Sequence, residues 1–323
     1  MQDEITLVAK PISVAKSLQS VRRRKDRLAE KLLWLNSMVP LFIVVAILAA
    51  LLIRTLPILT SHSIGELITA QVWAPLKGEF GFYPFIMGTV WVTMLAMLLA
   101  VPPCLLTAIY LAEYARPSLI ALTKPLIDLL AAIPSVVYGV WGLATIVPWV
   151  QGFLAPTLGK WLGFIPLFAT HNPTGYSVLA GSIVLAVMVA PFIIAVTYEV
   201  MRTVPHGLRE ASLAVGATRW QTIKYAVIPQ TLPGIIAGTV LGVSRALGET
   251  MAVLMVVGNV ARPPSSIFDP AYPLPALIAN NYGEMLSIPL YDSALLSAAL
   301  ILLLIVLFFN ITSTLILRRI SGR

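Results

Sequence analysis

The sequence predicts an all-α, polytopic membrane protein with about six transmembrane helices, on three observations. Hydrophobic residues make up 58% of the 323-residue chain and charged residues only 11%, whereas soluble domains carry about 25% charged residues. Several apolar runs are long enough to cross a bilayer of about 30 Å at about 1.5 Å per helical residue. Basic residues collect in alternate intervals between these runs, as they do in multi-pass membrane proteins.

Six apolar runs are candidates for membrane-spanning helices. They are Trp34–Ile53, Pro84–Ala112, Leu122–Val150, Tyr176–Val200, Gly234–Val257 and Tyr291–Leu317. The first run exceeds the 7–15 residues of a secretory signal, so we interpret it as an uncleaved helix. The predicted organisation is a basic N-terminal segment at residues 1–33, a transmembrane domain at residues 34–318 and a tail at residues 319–323.

The basic residues predict how the chain is oriented. Most of the 22 lysines and arginines fall in the segment before the first run, the connector near Arg116, the loop after the fourth run and the last residues. The positive-inside rule assigns these segments to the cytoplasm. Both termini are therefore predicted to be cytoplasmic. The net charge of +8 does not indicate nucleic-acid binding, because the basic residues do not form one soluble patch.

The loop Thr203–Gly234 has the pattern of two short helices separated by a glycine. Pro205 suits the first turn of a helix, and Leu208 begins an apolar repeat at helical spacing. Gly216 permits a sharp turn, after which Trp220–Ile228 resume the helical pattern up to Pro229. An exposed helix of this kind suits a groove on a partner protein. The pattern equally fits an amphipathic helix lying on lipid headgroups.

Two opposite charges interrupt the fifth apolar run. Arg245 lies about 16 Å into the predicted helix, where an arginine costs about 2.5–3.5 kcal/mol unless it faces protein or water. Glu249 follows at i+4, on the same predicted helix face. The pair could simply fix helix packing, although buried ion pairs seldom stabilise more than apolar residues do. Intramembrane ionisable residues more often line a transport pathway, and a guanidinium matches the oxygens of phosphate.

Four weaker pathway candidates accompany the charged pair. Ser244 and Thr250 adjoin it and could offer hydroxyl groups, or could bond their own helix backbone. Ser135 and Tyr138 lie in "IPSVVYG", where a proline and a glycine permit an irregular helix. The same pattern fits ordinary helix packing around a proline kink.

The loop after the fourth run resembles the EAA loop of bacterial ABC-importer permeases. The resemblance rests on Glu210-Ala211-Ser212, then Gly216, and then Ala226, Ile228 and Pro229 at the family's offsets. Ser212, Ala226 and Ile228 depart slightly from the usual residues. The resemblance implies a coupling helix that docks into a cytoplasmic ATPase. The residues it assigns to coupling are Leu208, Glu210, Ala211, Gly216 and Ala217.

Two further segments, Ala131–Leu143 and Arg245–Asn259, resemble the permease subunits of the high-affinity phosphate importer. The "GETMAV" form is closer to the PstC-type subunit than to the PstA-type subunit. The resemblance implies a type I ABC-importer permease fold. It also implies a PstA-type sister permease, a PstB-type ATPase dimer and a PstS-type extracytoplasmic phosphate-binding protein as partners, in addition to membrane lipid. Arg245 and Glu249 are expected to matter, and we hypothesise that phosphate displaces Glu249 from Arg245 during passage.

The expected function is that of a transport subunit, not an enzyme. The sequence has no G-x-x-x-x-G-K-[ST] loop, so ATP and Mg are expected on the partner ATPase, and the chain itself is expected to hold no cofactor. His62, His171 and His206 lack the spacing of metal ligands. Three alternatives remain at this stage: a permease for molybdate, sulfate or phosphonate; a proton-coupled carrier that needs no ATPase; and a membrane scaffold or sensor.

Overall fold

The computed structural model describes residues 11–170, 172, 174–284 and 288–320. His171, the first ten residues of the predicted N-terminal segment and residues 321–323 of the predicted tail lie outside them. The α-helices in the described residues are α1 Pro11–Ser61, α2 Ile64–Thr69, α3 Tyr83–Glu113, α4 Pro117–Ala132, α5 Ser135–Trp141, α6 Val147–Trp149, α7 Ala155–Leu162, α8 Val178–Arg202, α9 His206–Ala214, α10 Arg219–Thr222, α11 Ile228–Leu247, α12 Met251–Leu254, α13 Leu274–Asn281 and α14 Tyr291–Ile320.

Shorter elements complete the secondary structure of the described residues. An antiparallel hairpin pairs β1 (Trp73–Ala74) with β2 (Glu79–Phe80). π-helical stretches at Gly142–Ile146 and Val150–Leu154 join α5, α6 and α7 into one continuous helix. A third π-helical stretch, Ile223–Val227, joins α10 to α11.

Six helices in the described residues are long and apolar enough to cross a membrane. They are Ala29–Ser61, Tyr83–Glu113, Ser135–Leu162, Val178–Arg202, Arg219–Leu247 and Tyr291–Arg319. The predicted number of spans and the all-α, polytopic class are therefore confirmed.

The predicted third span, Leu122–Val150, is wrong as a single helix. Helix α4 ends at Ala132, and Ile133 and Pro134 are extended, with ψ angles of 130° and 140°. Proline disfavours the helical conformation of the residue before it, so a helix ends there and α5 begins after it. The span instead continues from Ser135 to Leu162.

The predicted fifth span, Gly234–Val257, is wrong at both ends. Its helix begins earlier, at Arg219. Pro229 supplies no N–H, and the π-helical stretch just before it shifts the hydrogen-bond pattern, so the helix continues through the proline. The helix ends earlier, at Leu247, with Gly248 as the C-terminal cap. A separate short helix, α12, follows after three non-helical residues, Gly248 to Thr250.

The chain forms two compact units, residues 1–53 and 54–323. In the first unit, the described residues belong to the part of α1 that ends at Ile53. The predicted boundary at residue 33 thus falls inside a continuous helix. In the second unit, α3 packs along α8, and the main buried core includes Ala96 and Ala100 from α3 and Val184, Leu185 and Met188 from α8.

Candidate functional site

Three glycines bring α11 very close to α8. Gly234, Gly238 and Gly242 recur every four residues, so they share one face of α11. A methyl group at Gly238 would lie 2.9 Å from a Val196 side-chain carbon, and one at Gly242 would lie 2.8 Å from Ile193. Small residues at this spacing allow helix backbones to approach closely in membranes. These three glycines, which we call the glycine stripe on α11, therefore fix the last turn of α11 against the middle of α8.

Arg245 lies in that last turn of α11. Its guanidinium carbon is 4.1 Å from the centre of the Phe192 ring, in a cation–π contact. Phe192 lies near the middle of the 25-residue α8, so Arg245 is level with the middle of that helix. The side chain is exposed. In the part of the chain that the structure describes, no hydrogen bond or ion pair reaches its guanidinium.

Glu249 does not pair with Arg245, although the sequence places them one helical turn apart. The helix ends at Leu247, so the two side chains do not share a helix face. Glu249 instead accepts a hydrogen bond from the backbone N–H of Ala252 at 3.1 Å, which caps the first turn of α12. Its half-buried side chain lies beside Thr89 and Thr93 of α3 at a small cavity. The guanidinium is therefore free to meet another anion.

Ser244 and Thr250 hold the two sides of this break, which we call the α11 break (residues 248–250). Ser244 Oγ lies 2.9 Å from both the Val240 carbonyl oxygen and Asn310 Oδ1 of α14. Thr250 Oγ1 donates to the Gly248 carbonyl oxygen at 3.3 Å. Both hydroxyl groups thus bond protein atoms next to Arg245.

Helix α5 packs directly against α12, so the two predicted pathway segments meet. A methyl group at Gly139 would lie 3.2 Å from the Ala252 Cα atom, which explains the need for glycine there. Tyr138 is buried, and its hydroxyl donates to the Leu130 carbonyl oxygen of α4 at 2.8 Å. The Tyr138 hydroxyl group thus joins α4 to α5 across the extended residues between the two helices. Ser135, half-buried, begins α5.

The predicted helix–glycine–helix loop is confirmed as α9, Gly216 and α10. Gly216 has a φ of +85°, the left-handed conformation that favours glycine. The N–H of Gly216 donates to the Leu213 carbonyl oxygen at 3.0 Å, and that of Ala217 to the Ser212 carbonyl oxygen at 3.3 Å. These two hydrogen bonds form the Schellman motif, which commonly ends helices. Thr218 and Gln221 then form a capping box that starts α10.

The predicted coupling residues have different environments on α9. Glu210 and Ala211 are exposed, and Gly216 has open space around it. Leu208 is half-buried and packs on a cluster that contains Met201 and Val204, so it faces the bundle. Ala217 is also half-buried. Ser212, the departure from the usual motif, lies 2.9 Å from the Thr222 hydroxyl oxygen and ties α9 to α10.

Three residues next to these regions were not predicted as functional. Phe192 and Asn310 lie beside Arg245 and Ser244, and Glu113 pairs with Arg209 of α9 at 2.7 Å. The glycine spacing in α11 indicates a close helix neighbour but does not identify it. An asparagine inside the last apolar run and a glutamate at the end of the second are visible signals. Their partners lie tens of residues away, so sequence spacing alone cannot assign them.

Comparisons with known proteins identify the family and the relatives of this chain. Residues 104–322 match the family described as "Binding-protein-dependent transport system inner membrane component". The phosphate transport system permease protein PstC of Xylella fastidiosa (strain 9a5c) is 39% identical over 254 residues, covering 78% of each chain. The probable phosphate transport system permease protein PstC of Methanocaldococcus jannaschii is 35% identical over 297 residues, covering 90% of this chain and 93% of that protein.

A solved structure shares the fold. It is a bacterial ABC transporter involved in the import of the acidic polysaccharide alginate, with a TM-score of 0.60 and 19% identity. The match covers 93% of this chain and 99% of that chain. At this identity the likeness shows the fold alone, which is that of an ABC-importer permease, as the sequence predicts.

Proposed function

The chain belongs to the family of binding-protein-dependent transport system inner membrane components, and we propose that it is the permease subunit of an ATP-driven phosphate importer. One observation carries the proposal: an exposed arginine lies level with the middle of α8 and, among the residues that the structure describes, has no ion pair with a carboxylate. Such a group is stable within a membrane only where it faces protein or water. Relatives at 39% and 35% identity carry the name of phosphate permeases.

In this proposal Arg245 meets the passing phosphate. A guanidinium stays protonated and presents a planar fork of N–H donors to phosphate oxygens. Glu249 lies within the α11 break, where its negative charge opposes an anion that remains bound. Ser244 and Thr250 hold the break in shape and line the route beside the guanidinium. Ser135 and Tyr138 of α5 form the wall that packs on α12.

The proposal makes α9 the element that couples transport to ATP hydrolysis. Glu210 and Ala211 present an exposed surface to the partner ATPase, while Leu208, Gly216 and Ala217 fix the helix and its turn. ATP and Mg are then bound by that partner and not by this chain. A binding protein delivers phosphate at the opposite end of the bundle, and a sister permease closes the route. Both termini and α9 lie on the cytoplasmic side of the inner membrane.

Two observations favour this function over its rivals. A proton-coupled carrier would use Arg245 and Glu249 as a relay, but the two side chains are not paired in this structure, and α9 would have no role. A scaffold or sensor would not need an unpaired arginine at the middle of the bundle. A permease for molybdate, sulfate or phosphonate would need the same guanidinium, so the names of the relatives support phosphate.

Purification with partners followed by transport tests the proposal. The chain is extracted in mild detergent with its sister permease, ATPase and binding protein, and the complex is placed in vesicles. We expect phosphate uptake that requires both ATP and the loaded binding protein, and that unlabelled phosphate inhibits more strongly than sulfate or molybdate does. Uptake driven by a proton gradient without ATP would contradict the proposal, as would stronger inhibition by another oxyanion.

A further inference from the structure

Glu113, the last residue of α3, contacts the α9 region through both its side chain and its backbone. Arg209 Nη2 lies 2.7 Å from Glu113 Oε1, and Arg209 Nε lies 3.2 Å from each carboxylate oxygen. The side chains of Glu113 and Arg209 are only 7% and 17% exposed. This ion pair is therefore a largely buried fork of charge-assisted hydrogen bonds, and not a surface contact.

Two further N–H donors of Arg209 are also used. Nη1 donates to the Val204 carbonyl oxygen at 2.6 Å, and Nη2 donates to the Met201 carbonyl oxygen at 3.0 Å. Both carbonyl groups lie where α8 ends and the chain turns into α9. One guanidinium thus joins the end of α3, the end of α8 and the start of α9.

A second arginine reaches the same end of α3 from the other side of the loop. Arg219, the first residue of α10, donates from Nη2 to the Glu113 carbonyl oxygen. Its guanidinium carbon lies 4.9 Å from the centre of the Tyr114 ring. Both α9, before Gly216, and α10, after it, therefore contact residues 113–114 at the end of α3.

Helix α3 has no direct chain connection to α9, since Glu113 and Arg209 are 96 residues apart. The chain connects α9 only to α8 and, through α10, to α11. A small apolar cluster, with Ile109 and Ala112 of α3 beside Leu208 of α9, adds a contact without directional bonds. Glu113 supplies the directional contact between α9 and α3.

We propose that Glu113 is a positioning residue through which displacement of α9 moves α3 together with α8. This inference rests on the proposed function, because it assumes that α9 receives the movement of an ATPase. Breaking the contact lets α9 move without α3, so ATP is hydrolysed without opening the bundle. The defect is then one of coupling and not of phosphate binding.

The test uses the complete complex in vesicles and compares Glu113→Gln with the wild type. We expect the ATP hydrolysed per phosphate imported to rise several-fold, and the apparent KM for the loaded binding protein to stay unchanged. Glu79→Gln is the matched control, because Glu79 is an exposed glutamate in β2. It should leave both quantities as in the wild type. Glu113→Asp, which retains the charge, should restore part of the coupling.

Glu113→Gln leaves a buried guanidinium unpaired, and the complex could fail to assemble for that reason alone. Arg209→Lys is the second variant, because it keeps the positive charge but loses the fork. It should give an assembled complex with intermediate coupling. A normal ATP-to-phosphate ratio in an assembled Arg209→Lys or Glu113→Gln complex would overturn the inference.

Failure of the proposed function and failure of this inference give different results in the same assay. If the wild-type complex imports another anion, the factor by which the loaded binding protein stimulates ATP hydrolysis still measures coupling. Glu113→Gln should then raise unstimulated hydrolysis and reduce that factor. An unchanged factor would overturn the role of Glu113, whereas missing phosphate uptake in the wild type would overturn only the assigned substrate.

Discussion

At the scale of single residues, the site depends on a charge separation that the helix break creates. A continuous helix would place Glu249 one turn from Arg245, where the two charges could neutralise each other. The break ends the helix at Leu247 and directs Glu249 to the N–H of Ala252. Arg245 stacks on Phe192 and keeps its N–H donors available for an anion.

Glu249 has two separable roles, a cap on α12 and a negative charge beside the route. Glu249→Gln keeps an oxygen that can accept from Ala252 but removes the charge, whereas Glu249→Ala removes both. If the charge expels phosphate, both variants should slow phosphate uptake, with ATPase binding retained. Rapid uptake in Glu249→Gln together with slow uptake in Glu249→Ala would assign this residue to capping alone.

At the scale of elements, two glycine positions set the geometry in different ways. Gly216 permits the left-handed backbone conformation of the turn between α9 and α10. The glycine stripe on α11 has no side chains and therefore lets α11 pack closely on α8. A substitution at the first position strains a turn, while a substitution in the stripe separates two helices. Substitutions at Gly216 and Gly238 measure these two effects separately.

Gly216→Val should uncouple ATP hydrolysis from uptake while the bundle stays folded. The left-handed conformation costs a non-glycine residue about 1–2 kcal/mol, and nothing within 4 Å of this position would clash. The strain therefore falls on the turn between α9 and α10. Gly216→Asn is the matched control, since asparagine tolerates this conformation. Equal coupling in the two variants would refute the role of the turn.

Gly238→Leu should push α11 away from α8 and displace Arg245 from Phe192. Overpacking of this kind costs about 1–3 kcal/mol, so we expect a lower melting temperature of the complex and slower phosphate uptake. Gly152→Leu is the control, because, its own chain neighbours and helix backbone aside, none of the residues that the structure describes has an atom within 4 Å of a methyl group there. A Gly238→Leu complex with wild-type stability and uptake would contradict the role assigned to the stripe.

The sequence predicts the elements better than their junctions. The sequence identifies six apolar runs and the α9–Gly216–α10 pattern, because the hydropathy of a segment and the position of a glycine are both read from neighbouring residues. The end of α11 at Leu247 could not be identified, since its apolar run continues past Gly248 and local pattern favours a longer helix. The contact between Glu113 and Arg209 could not be predicted either, because it depends on how α3 and α8 pack.

At the scale of the whole molecule, the arrangement links two distant regions through α8. Arg245, near the end of α11, stacks on Phe192 of α8, and α9 follows the end of α8 after Arg202. A movement received by α9 therefore reaches the helix on which Arg245 rests. Under the proposed function, ATP binding to the partner need only favour one of two bundle arrangements to change the access of Arg245 to each side.

The central claim is that Arg245 binds the transported phosphate, and Arg245→Gln tests it most directly. Loss of hydrogen bonds to a charged group costs about 1.5–3 kcal/mol, which is about tenfold or more in affinity. The measurement is ATP-dependent phosphate uptake by vesicles that contain the complete complex, with Lys160→Gln as the control for an exposed cation. We predict that Arg245→Gln lowers uptake at least about tenfold while the ATPase remains bound and Lys160→Gln transports normally. Normal uptake by the Arg245→Gln complex would contradict the claim.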